Sequence, residues 1–174
     1  DQKFNPDKIN FYSIKSSNKI CDLNISDFNS ADCKYTTLKR SELVKFLKTD
    51  LENLIQTNHS ISKVEQQNQK IQLTFENNET SECDYLIISD GVFSKSKSLI
   101  LKNQIAPRYN KTIAIRGTLP CSQKIDCRNI SLFLGPDFHY VIYPVNQNRD
   151  LNFIAIMKYK LNKEEQKNQS LFND

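Results

Sequence analysis

CDYLIISDGVFSKSK, residues 83–97, contains a short apolar run that ends abruptly in Asp-Gly. Four consecutive large apolar residues, Tyr85 to Ile88, predict a strand that is buried on both faces, as in a sheet covered by helices. Ligands of such sheets collect beyond the carboxyl ends of the strands, which is where Asp90 and Gly91 lie. Asp-Gly is also an ordinary turn dipeptide, so the residues alone leave two interpretations open, a ligand-binding tip and a plain turn.

The composition is that of a folded, globular chain. Of its 174 residues, 38% are hydrophobic and 25% are charged, which is polar for a globular domain but far from a disordered one. The net charge of +4 is spread along the sequence without a dense block of Lys and Arg, which argues against a nucleic-acid partner. No apolar run approaches the roughly 20 residues that span a bilayer, and we expect a cytoplasmic protein.

The cysteines and histidines indicate no metal centre. The five cysteines are Cys21, Cys33, Cys83, Cys121 and Cys127. They contain no Cys-x-x-Cys pair and leave one over, so they indicate neither a zinc site nor a disulfide framework, and we expect reduced thiols. His59 and His139 are far apart and have no Cys or carboxylate at ligand spacing, so no metal site is predicted.

The periodicity of the rest of the chain predicts one clear helix among several strands. From Ser41 to Ile55, apolar residues recur at three- and four-residue steps, which marks an amphipathic helix with Ser41 as its N-cap. Apolar runs between turn residues predict strands at 9–14, 19–23, 61–65, 70–75, 85–88, 112–116, 130–134, 140–145 and 151–159. The predicted fold class is α+β, a mixed sheet with an antiparallel strand meander beside that helix.

The segment at 83–97 resembles the second fingerprint of the FAD-dependent aromatic hydroxylases, the class A flavoprotein monooxygenases. In that family an acidic residue, an apolar strand, Ala/Ser-Asp-Gly, a serine and a basic residue recur in this order. Those places are filled here by Asp84, Ser89-Asp90-Gly91, Ser94 and Lys97. The family usually has Arg at the position of Lys97, so a planar two-pronged donor is replaced by a single ammonium group.

Two further stretches are similar to the same family. Tyr35 to Leu47 resembles its basic-x-acid-Leu helix start, which includes Arg40, and residues 109–120 and 133–145 resemble strands of its substrate-binding sheet. The only glycines are Gly91, Gly117 and Gly135, which cannot form the G-x-G-x-x-G loop of the family. We therefore interpret residues 1–160 as the central, substrate-binding portion of a longer flavoprotein and residues 161–174 as a polar tail.

The resemblance implies FAD and NAD(P)H as cofactors and the hydroxylation of a phenolic or quinone-precursor ring. It implies cofactor contacts for Arg40, whose guanidinium suits phosphate or flavin oxygens, and for Asp90 and Gly91, which offer an acceptor and a bare backbone. Within the family the chain is most similar to the ubiquinone-biosynthesis hydroxylases, with the salicylate-type hydroxylases next. A polyprenyl substrate would imply peripheral membrane contact. The alternative is a non-catalytic binding or assembly module derived from the same fold.

Arg116, His139 and Tyr143 lie on the predicted meander and are the candidate contacts of a small aromatic substrate. Alternate residues of a strand point to opposite faces, and the sequence leaves open which face is inward. Packing in the core is the alternative role for the strand aromatics. No Ser/His/Asp or Cys/His arrangement for nucleophilic catalysis is present, and the sequence names no catalytic residue.

Overall fold

The computed structural model describes residues 2–103, 108–122, 126–147 and 150–165. The chain divides into two compact units, which are described separately. Unit 1 comprises Asp1–Thr49 and Asn110–Asp174, and unit 2 is Asp50–Tyr109. Unit 2 is therefore inserted into the sequence of unit 1.

Strands dominate the secondary structure of the described residues. The strands are β1 (Lys3–Phe4), β2 (Lys8–Ser13), β3 (Lys19–Asn24), β4 (Thr37–Leu38), β5 (Ile61–Gln67), β6 (Lys70–Phe75), β7 (Thr80–Cys83), β8 (Thr112–Leu119), β9 (Ile130–Leu134), β10 (Phe138–Pro144) and β11 (Leu151–Lys158), and the helices are α1 (Arg40–Lys48) and α2 (Lys95–Leu101). Of the predicted polar tail, residues 163–165 form a turn and residues 166–174 lie outside the described part. No helix in the described ranges has the length and apolar character needed to cross a membrane.

Unit 1 is built on a six-stranded mixed sheet in the order β3-β2-β9-β10-β11-β8. Neighbouring strands are antiparallel except β2 and β9, which run parallel and pair residues 9–13 with residues 130–134. β9, β10 and β11 form a meander, as the turn residues between them predict. The predicted α+β class, the mixed sheet and the antiparallel meander are confirmed.

The best-buried side chains of unit 1 lie where β10 turns into β11. Leu151 is 0% exposed and Val145 is 2% exposed. On the same face of the sheet as Leu151, the rings of Tyr12, Phe133 and Tyr140 stack across three strands, with centroids 4.9 and 4.3 Å apart. Each aromatic pair adds about 0.5–1.5 kcal/mol to what its area burial provides. This ring row helps to hold β2, β9 and β10 in register.

Unit 2 contains a three-stranded antiparallel sheet in the order β5-β6-β7, against which α2 packs through β5. The two strands predicted at 61–65 and 70–75 are confirmed as β5 and β6. The turn between them places Asn68 and Gln69 at φ values of 46° and 66°, the left-handed pair of a tight hairpin. Asn78, at a φ of 67°, turns the chain into β7. β7 was not predicted from the sequence because its four residues, TSEC, show no apolar alternation.

The prediction of a strand at Tyr85–Ile88 is wrong. β7 ends at Cys83, and the following residues form no strand and leave Tyr85 and Ile87 88% and 87% exposed. An apolar run becomes a buried strand only when other strands pair with it, and no described strand does so. The segment instead forms an exposed apolar ridge, defined here by four residues. These are Tyr85, Ile87, Val92 and Phe93.

α1 is shorter than the helix predicted at Ser41–Ile55. It ends at Lys48, two residues before Asp50, whose φ of 65° no right-handed helix accommodates. The N-cap is Lys39, which makes no side-chain hydrogen bond to the first turn, so the predicted cap at Ser41 is wrong. The helix starts two residues earlier than the hydroxyl pattern indicated because Lys39 already has the extended conformation of a cap residue.

Cys121 and Cys127 form a disulfide, so the expectation of reduced thiols is wrong for this pair. The chain reverses between β8 and β9, and the two Cα atoms come to 6.0 Å, a separation that a disulfide bridges. A six-residue spacing outside any metal-binding motif gave no signal of this pairing. Cys21, Cys33 and Cys83 are free thiols.

His59 lies at one end of the sheet in unit 2, just before β5, and contacts the segments that end β6 and precede β7. Its Nε2 lies 2.8 Å from a carboxylate oxygen of Glu79, its Nδ1 lies 2.6 Å from the carbonyl oxygen of Thr57, and its ring packs edge-on against Phe75. Both ring nitrogens therefore face acceptors, a geometry that suits the doubly protonated cation. The carbonyl of Thr57 is the main reason that the pKa of His59 is raised, and Glu79 adds to it.

We expect the stability of unit 2 to fall as the pH rises. Because the folded-state pKa of His59 is raised, its stabilising effect is complete below the unfolded-state pKa of about 6.5 and is lost as the pH rises through the higher folded value. An NMR titration of the two imidazoles reads the pKa of His59 directly. His139→Gln should keep this pH dependence and His59→Gln should abolish it. A His59 that titrates at or below 6.5 would contradict the prediction.

Candidate functional site

A pocket of about 400 Å³ lies on one face of the six-stranded sheet in unit 1. Its floor is made by residues of β9 and β10, and its wall by the segment that contains β4. The lining residues are Tyr35, Thr36, Thr37, Leu38, Ile130, Val141 and Tyr143. Aliphatic side chains on the floor and hydroxyl groups at the wall and rim give the mixed lining that is typical of small-molecule sites.

The wall of the pocket is held by hydrogen bonds, of which the one between Thr37 and Pro144 is buried. The Thr37 hydroxyl, on a residue only 7% exposed, donates to the carbonyl of Pro144 at the end of β10 and also lies 3.3 Å from the carbonyl of Phe4. The Asn5 amide donates to the carbonyl of Tyr35 and to the Thr36 hydroxyl, each at 2.8 Å. The Thr37–Pro144 bond joins the wall to β10, and the other bonds join it to β1 and the residue after it, so the pocket is preformed.

The start of α1 is fixed to the turn between β10 and β11. Lys39 Nζ lies 2.7 Å from Asp150 Oδ2, and the Asn146 amide donates to the same oxygen at 2.9 Å. These two contacts, Lys39 first, lower the pKa of Asp150 below its ordinary value. Arg40, the first residue of α1, is exposed, and its side chain has no hydrogen bond or ion pair with any described residue. Its guanidinium is therefore available to a ligand.

The three predicted substrate contacts lie on one face of the sheet. His139, Val141 and Tyr143 alternate along β10 and share a face, and Val141 and Tyr143 line the pocket. The pairing register places Ile154 opposite Val141 and Arg116 opposite Ile154, so Arg116 is on that same face. Only Tyr143 lines the pocket itself. His139 is about 13 Å further along β10, and Arg116 is about 10 Å across two strands from Val141.

The residues of the pocket wall were not predicted from the sequence. Tyr35, Thr36 and Leu38 carry no recognisable motif of a binding site, and Thr37 gave no sign that it would be buried. The only available signal was their place at the beginning of the family-like stretch from Tyr35 to Leu47. The partners of Thr37 and Asn5 are distant in sequence and become visible only in the folded chain.

The Asp90-Gly91 tip of unit 2 is an exposed turn. Asp90 Oδ2 accepts the backbone N–H of Ser96 at 3.2 Å, and Ser94 caps α2 by accepting the N–H of Lys97 at 2.9 Å. The Ser94 hydroxyl is the main cause of the lowered pKa of Asp90, with Ser96 adding to it. The carboxylate thus stabilises a turn, as the plain interpretation of Asp-Gly predicts.

Gly91 leaves the tip open to a ligand. Its φ is +86°, which disfavours any other residue, and a Cβ placed there would meet nothing within 4 Å. Space for close approach to the backbone is therefore present beside the Asp90 carboxylate. Metal-ligating side chains form no group of three or more in the described ranges.

Sequence comparison finds relatives among flavin-dependent monooxygenases. The chain is 32% identical over 98 residues to the FAD-dependent monooxygenase pigN of Monascus ruber, which covers 51% of this chain and 22% of that protein. It is 29% identical over 119 residues to a salicylate hydroxylase of Pseudomonas putida, covering 60% of this chain and 27% of that protein. No protein-family model matches.

Structural comparison gives the same fold. HpxO of Klebsiella pneumoniae, solved with FAD and uric acid, superimposes with a TM-score of 0.77 over 91% of this chain and 42% of that chain at 14% identity. The chain thus spans about a quarter of the length of the curated relatives it matches and under half of this solved structure. The resemblance read from the sequence is confirmed, since the matched relatives are an FAD-dependent monooxygenase and a salicylate hydroxylase and the fold matches that of a structure solved with FAD.

Proposed function

We propose that this chain supplies the substrate-facing sheet, and part of the FAD site, of an NAD(P)H-using monooxygenase that hydroxylates an aromatic ring. The observation that carries the proposal is the shared sheet face. It combines a preformed pocket with a flat aliphatic floor and with the guanidinium, imidazole and phenol groups of Arg116, His139 and Tyr143. An aliphatic floor accepts a planar ring, and the polar groups beside it can fix the substituents of that ring.

The residues of this face would bind, orient and shield the substrate. Arg116 would pair with an anionic substituent, since a guanidinium forms strong charge-assisted hydrogen bonds with carboxylate or phenolate oxygens. Tyr143 would hydrogen-bond a ring substituent through its phenol, while Ile130 and Val141 exclude water beneath the ring. FAD, when bound, supplies the oxygen-transfer chemistry, and the protein supplies orientation and a dry site.

Three residues of this chain suit contact with FAD. The unpaired guanidinium of Arg40 fits a phosphate or a flavin oxygen, and the Asp90 carboxylate retains acceptor capacity for a ribose hydroxyl beyond its bond to Ser96. The open space over Gly91 admits a ligand against the backbone. Arg40 belongs to unit 1, whereas Asp90 and Gly91 belong to unit 2. The proposed FAD contact of each residue therefore rests on the chemistry of that residue alone.

The apolar ridge of unit 2 supports the proposal that this chain is part of a longer polypeptide. Full burial of a side chain such as Ile87 stabilises a protein by roughly 1.5–3 kcal/mol, and this stabilisation is absent while the side chain faces water. The match covers only 22% and 27% of the length of two relatives. We propose that a further segment of the same polypeptide covers the ridge, with residues 1–160 as the central portion and 161–174 as a tail.

The proposal also includes the type of aromatic substrate. A match to a salicylate hydroxylase favours a salicylate-type aromatic acid over a ubiquinone precursor. The ubiquinone alternative, with its peripheral membrane contact, would require a wide apolar entrance for a polyprenyl chain. No observation favours a non-catalytic module.

The test uses the protein expressed from the complete reading frame that contains this chain. We expect flavin absorbance after reconstitution with FAD, and NAD(P)H oxidation stimulated by aromatic acids, with a hydroxylated product identified by mass spectrometry. NADH and NADPH are compared in parallel. A full-length protein that stays colourless with added FAD, or one that oxidises NAD(P)H without forming any hydroxylated product, would overturn the proposal.

Replacement of Arg40 or Asp90 should weaken FAD binding by the full-length protein. Loss of a charge-assisted hydrogen bond costs about 1.5–3 kcal/mol, or roughly tenfold or more in the dissociation constant. Arg40→Ala and Asp90→Ala are measured by flavin fluorescence titration. Asp90→Asn keeps an acceptor for Ser96 and separates loss of the carboxylate charge from loss of the turn.

Lys45→Ala, an exposed change on the same helix as Arg40, is the matched control and should leave the FAD dissociation constant unchanged. Unaltered affinity in both the Arg40 and the Asp90 variants would remove these residues from the FAD site. The 174-residue chain alone should bind FAD weakly or not at all, so micromolar binding in the same titration would contradict the need for further segments.

A further inference from the structure

The turn between β10 and β11 holds the start of α1 through one ion pair. Lys39 Nζ lies 2.7 Å from Asp150 Oδ2, and the two side chains are 37% and 33% exposed. A partly exposed ion pair adds little to the stability of a protein, because water screens the charges and a flexible lysine side chain must be ordered. A larger effect of this pair has to come from the group that it positions, and the next residue along the chain is Arg40.

The Asp150 carboxylate is held in place by the turn itself. Its Oδ2 accepts a hydrogen bond from Asn146 Nδ2 at 2.9 Å, and its backbone N–H donates to Asn146 Oδ1 at 2.9 Å, so the two residues exchange two hydrogen bonds. The backbone carbonyl of Asp150 also accepts the N–H of Val145 at 2.8 Å. Asn146 and Val145 are only 6% and 2% exposed, so the carboxylate is supported from the buried end of the hairpin. Lys39 therefore meets a preorganised partner.

Lys39 is the residue from which α1 starts. It has the extended conformation of a cap residue, with a φ of −68° and a ψ of 139°, and its carbonyl accepts the first two backbone hydrogen bonds of the helix, at 3.0 and 3.2 Å. Two residues earlier, the Thr37 hydroxyl donates to the carbonyl of Pro144, on the other side of the same turn. The ion pair and this hydrogen bond hold residues 37–39 to the sheet at two points, immediately before Arg40.

We propose that Asp150 is a positioning residue for FAD binding, which acts through Lys39 on Arg40. The inference rests on the proposed contact between Arg40 and FAD and deepens it. No described residue pairs with the guanidinium of Arg40, so the position of this group depends on its own backbone and on the anchor beside it. A fixed backbone reduces the conformational freedom that the side chain loses when it binds an anionic group.

The negative charge of Asp150 makes the positioning role distinguishable from a simple charge effect. FAD carries an anionic pyrophosphate, which a nearby carboxylate repels through space. If Asp150 influenced FAD only through its charge, removal of that charge would tighten FAD binding. A positioning role predicts weaker binding instead, because loss of the ion pair frees Lys39 and with it the start of α1.

The experiment measures the FAD dissociation constant of the full-length protein by flavin fluorescence titration. Asp150→Asn keeps an acceptor for Asn146 and removes only the charge that Lys39 binds. We expect this change to weaken FAD binding about threefold. The effect should be smaller than that of Arg40→Ala, because the guanidinium is still present.

Asp137→Asn is the matched control. Asp137 forms the same kind of ion pair with Lys158, at 2.6 Å, at the opposite end of the hairpin of β10 and β11. The control removes one negative charge from the same sheet without altering a contact of α1. It should leave the FAD dissociation constant within about 1.5-fold of the parent value.

The same change is also made in two altered backgrounds. If Asp150 acts through Lys39 and Arg40, Asp150→Asn should have no further effect once Lys39→Met or Arg40→Ala is present, since residues that act as a unit are not additive. Tighter or unchanged FAD binding by Asp150→Asn, or a full further loss in either background, would overturn the inference. Weaker binding by Arg40→Ala without any loss in Asp150→Asn would overturn the inference alone, whereas unaltered binding by Arg40→Ala would also remove the proposed contact of Arg40 with FAD.

Discussion

Leu151→Ala is expected to lower the free energy of unfolding of unit 1 by about 2–5 kcal/mol, the range found when a fully buried leucine is truncated. Leu151 is 0% exposed and pairs with Pro144 on one side and Leu119 on the other, so the missing atoms leave a cavity between three strands. Urea unfolding followed by far-UV circular dichroism measures the loss. No other single truncation in this sheet should cost more.

The control for Leu151 is Leu23→Ala in the edge strand β3 of the same sheet. Leu23 is 43% exposed, so its truncation should change the free energy of unfolding by about 0.5 kcal/mol or less. Equal losses in the two variants would show that the turn from β10 to β11 is not the centre of the core.

Thr37→Val should cost about 1–3 kcal/mol, because the carbonyl of Pro144 then stays buried without its donor. For a chain of this size, each kcal/mol corresponds to about 2–4 °C in Tm, so thermal unfolding should shift by roughly 2–12 °C. The change keeps the volume of the side chain and removes only the hydroxyl. It therefore reports on the hydrogen bond that holds the pocket wall.

The same variant should also weaken binding of aromatic acids, since the wall carries four of the seven lining residues. Thr112→Val, exposed on the edge strand β8, is the matched control and should alter neither Tm nor binding. A Thr37→Val protein with unchanged Tm and unchanged ligand affinity would show that the wall is held by other contacts.

Most strands of this fold follow from local sequence. β5 and β6 were predictable because apolar residues alternate on both sides of residues that accept a left-handed turn. The meander of β9, β10 and β11 was predictable for the same reason, since Gly135 and the polar residues 146–150 interrupt the apolar runs. Local alternation and turn chemistry agree with the final structure at these places.

The incorrect predictions of a strand, of a helix end and of free cysteines have a common physical cause. The run Tyr85–Ile88 carries the apolar content of a buried strand, but burial depends on partners that its own residues do not specify. The end of α1 depends on the backbone of Asp50, whose conformation the apolar pattern does not encode. The disulfide depends on a chain reversal that brings Cys121 to Cys127. Each outcome is decided by long-range context.

The candidate site was predictable in its residue types but not in its geometry. Arg116 and Tyr143 were chosen for their chemistry, yet their common face follows from a register that passes through β11. The roles of Arg40, Asp90 and Gly91 stay predictions that the FAD titrations test.

The insertion of unit 2 between the halves of unit 1 has a consequence for biosynthesis. β2 pairs with β9, which the ribosome adds only after the whole of unit 2 has been made. The nascent chain can close the local hairpins of unit 2 early, whereas the large sheet must wait until β11 has emerged. Since each doubling of a closed loop costs only about 0.6 kcal/mol, evolution can lengthen or shorten the inserted unit with little penalty to the sheet that encloses the pocket.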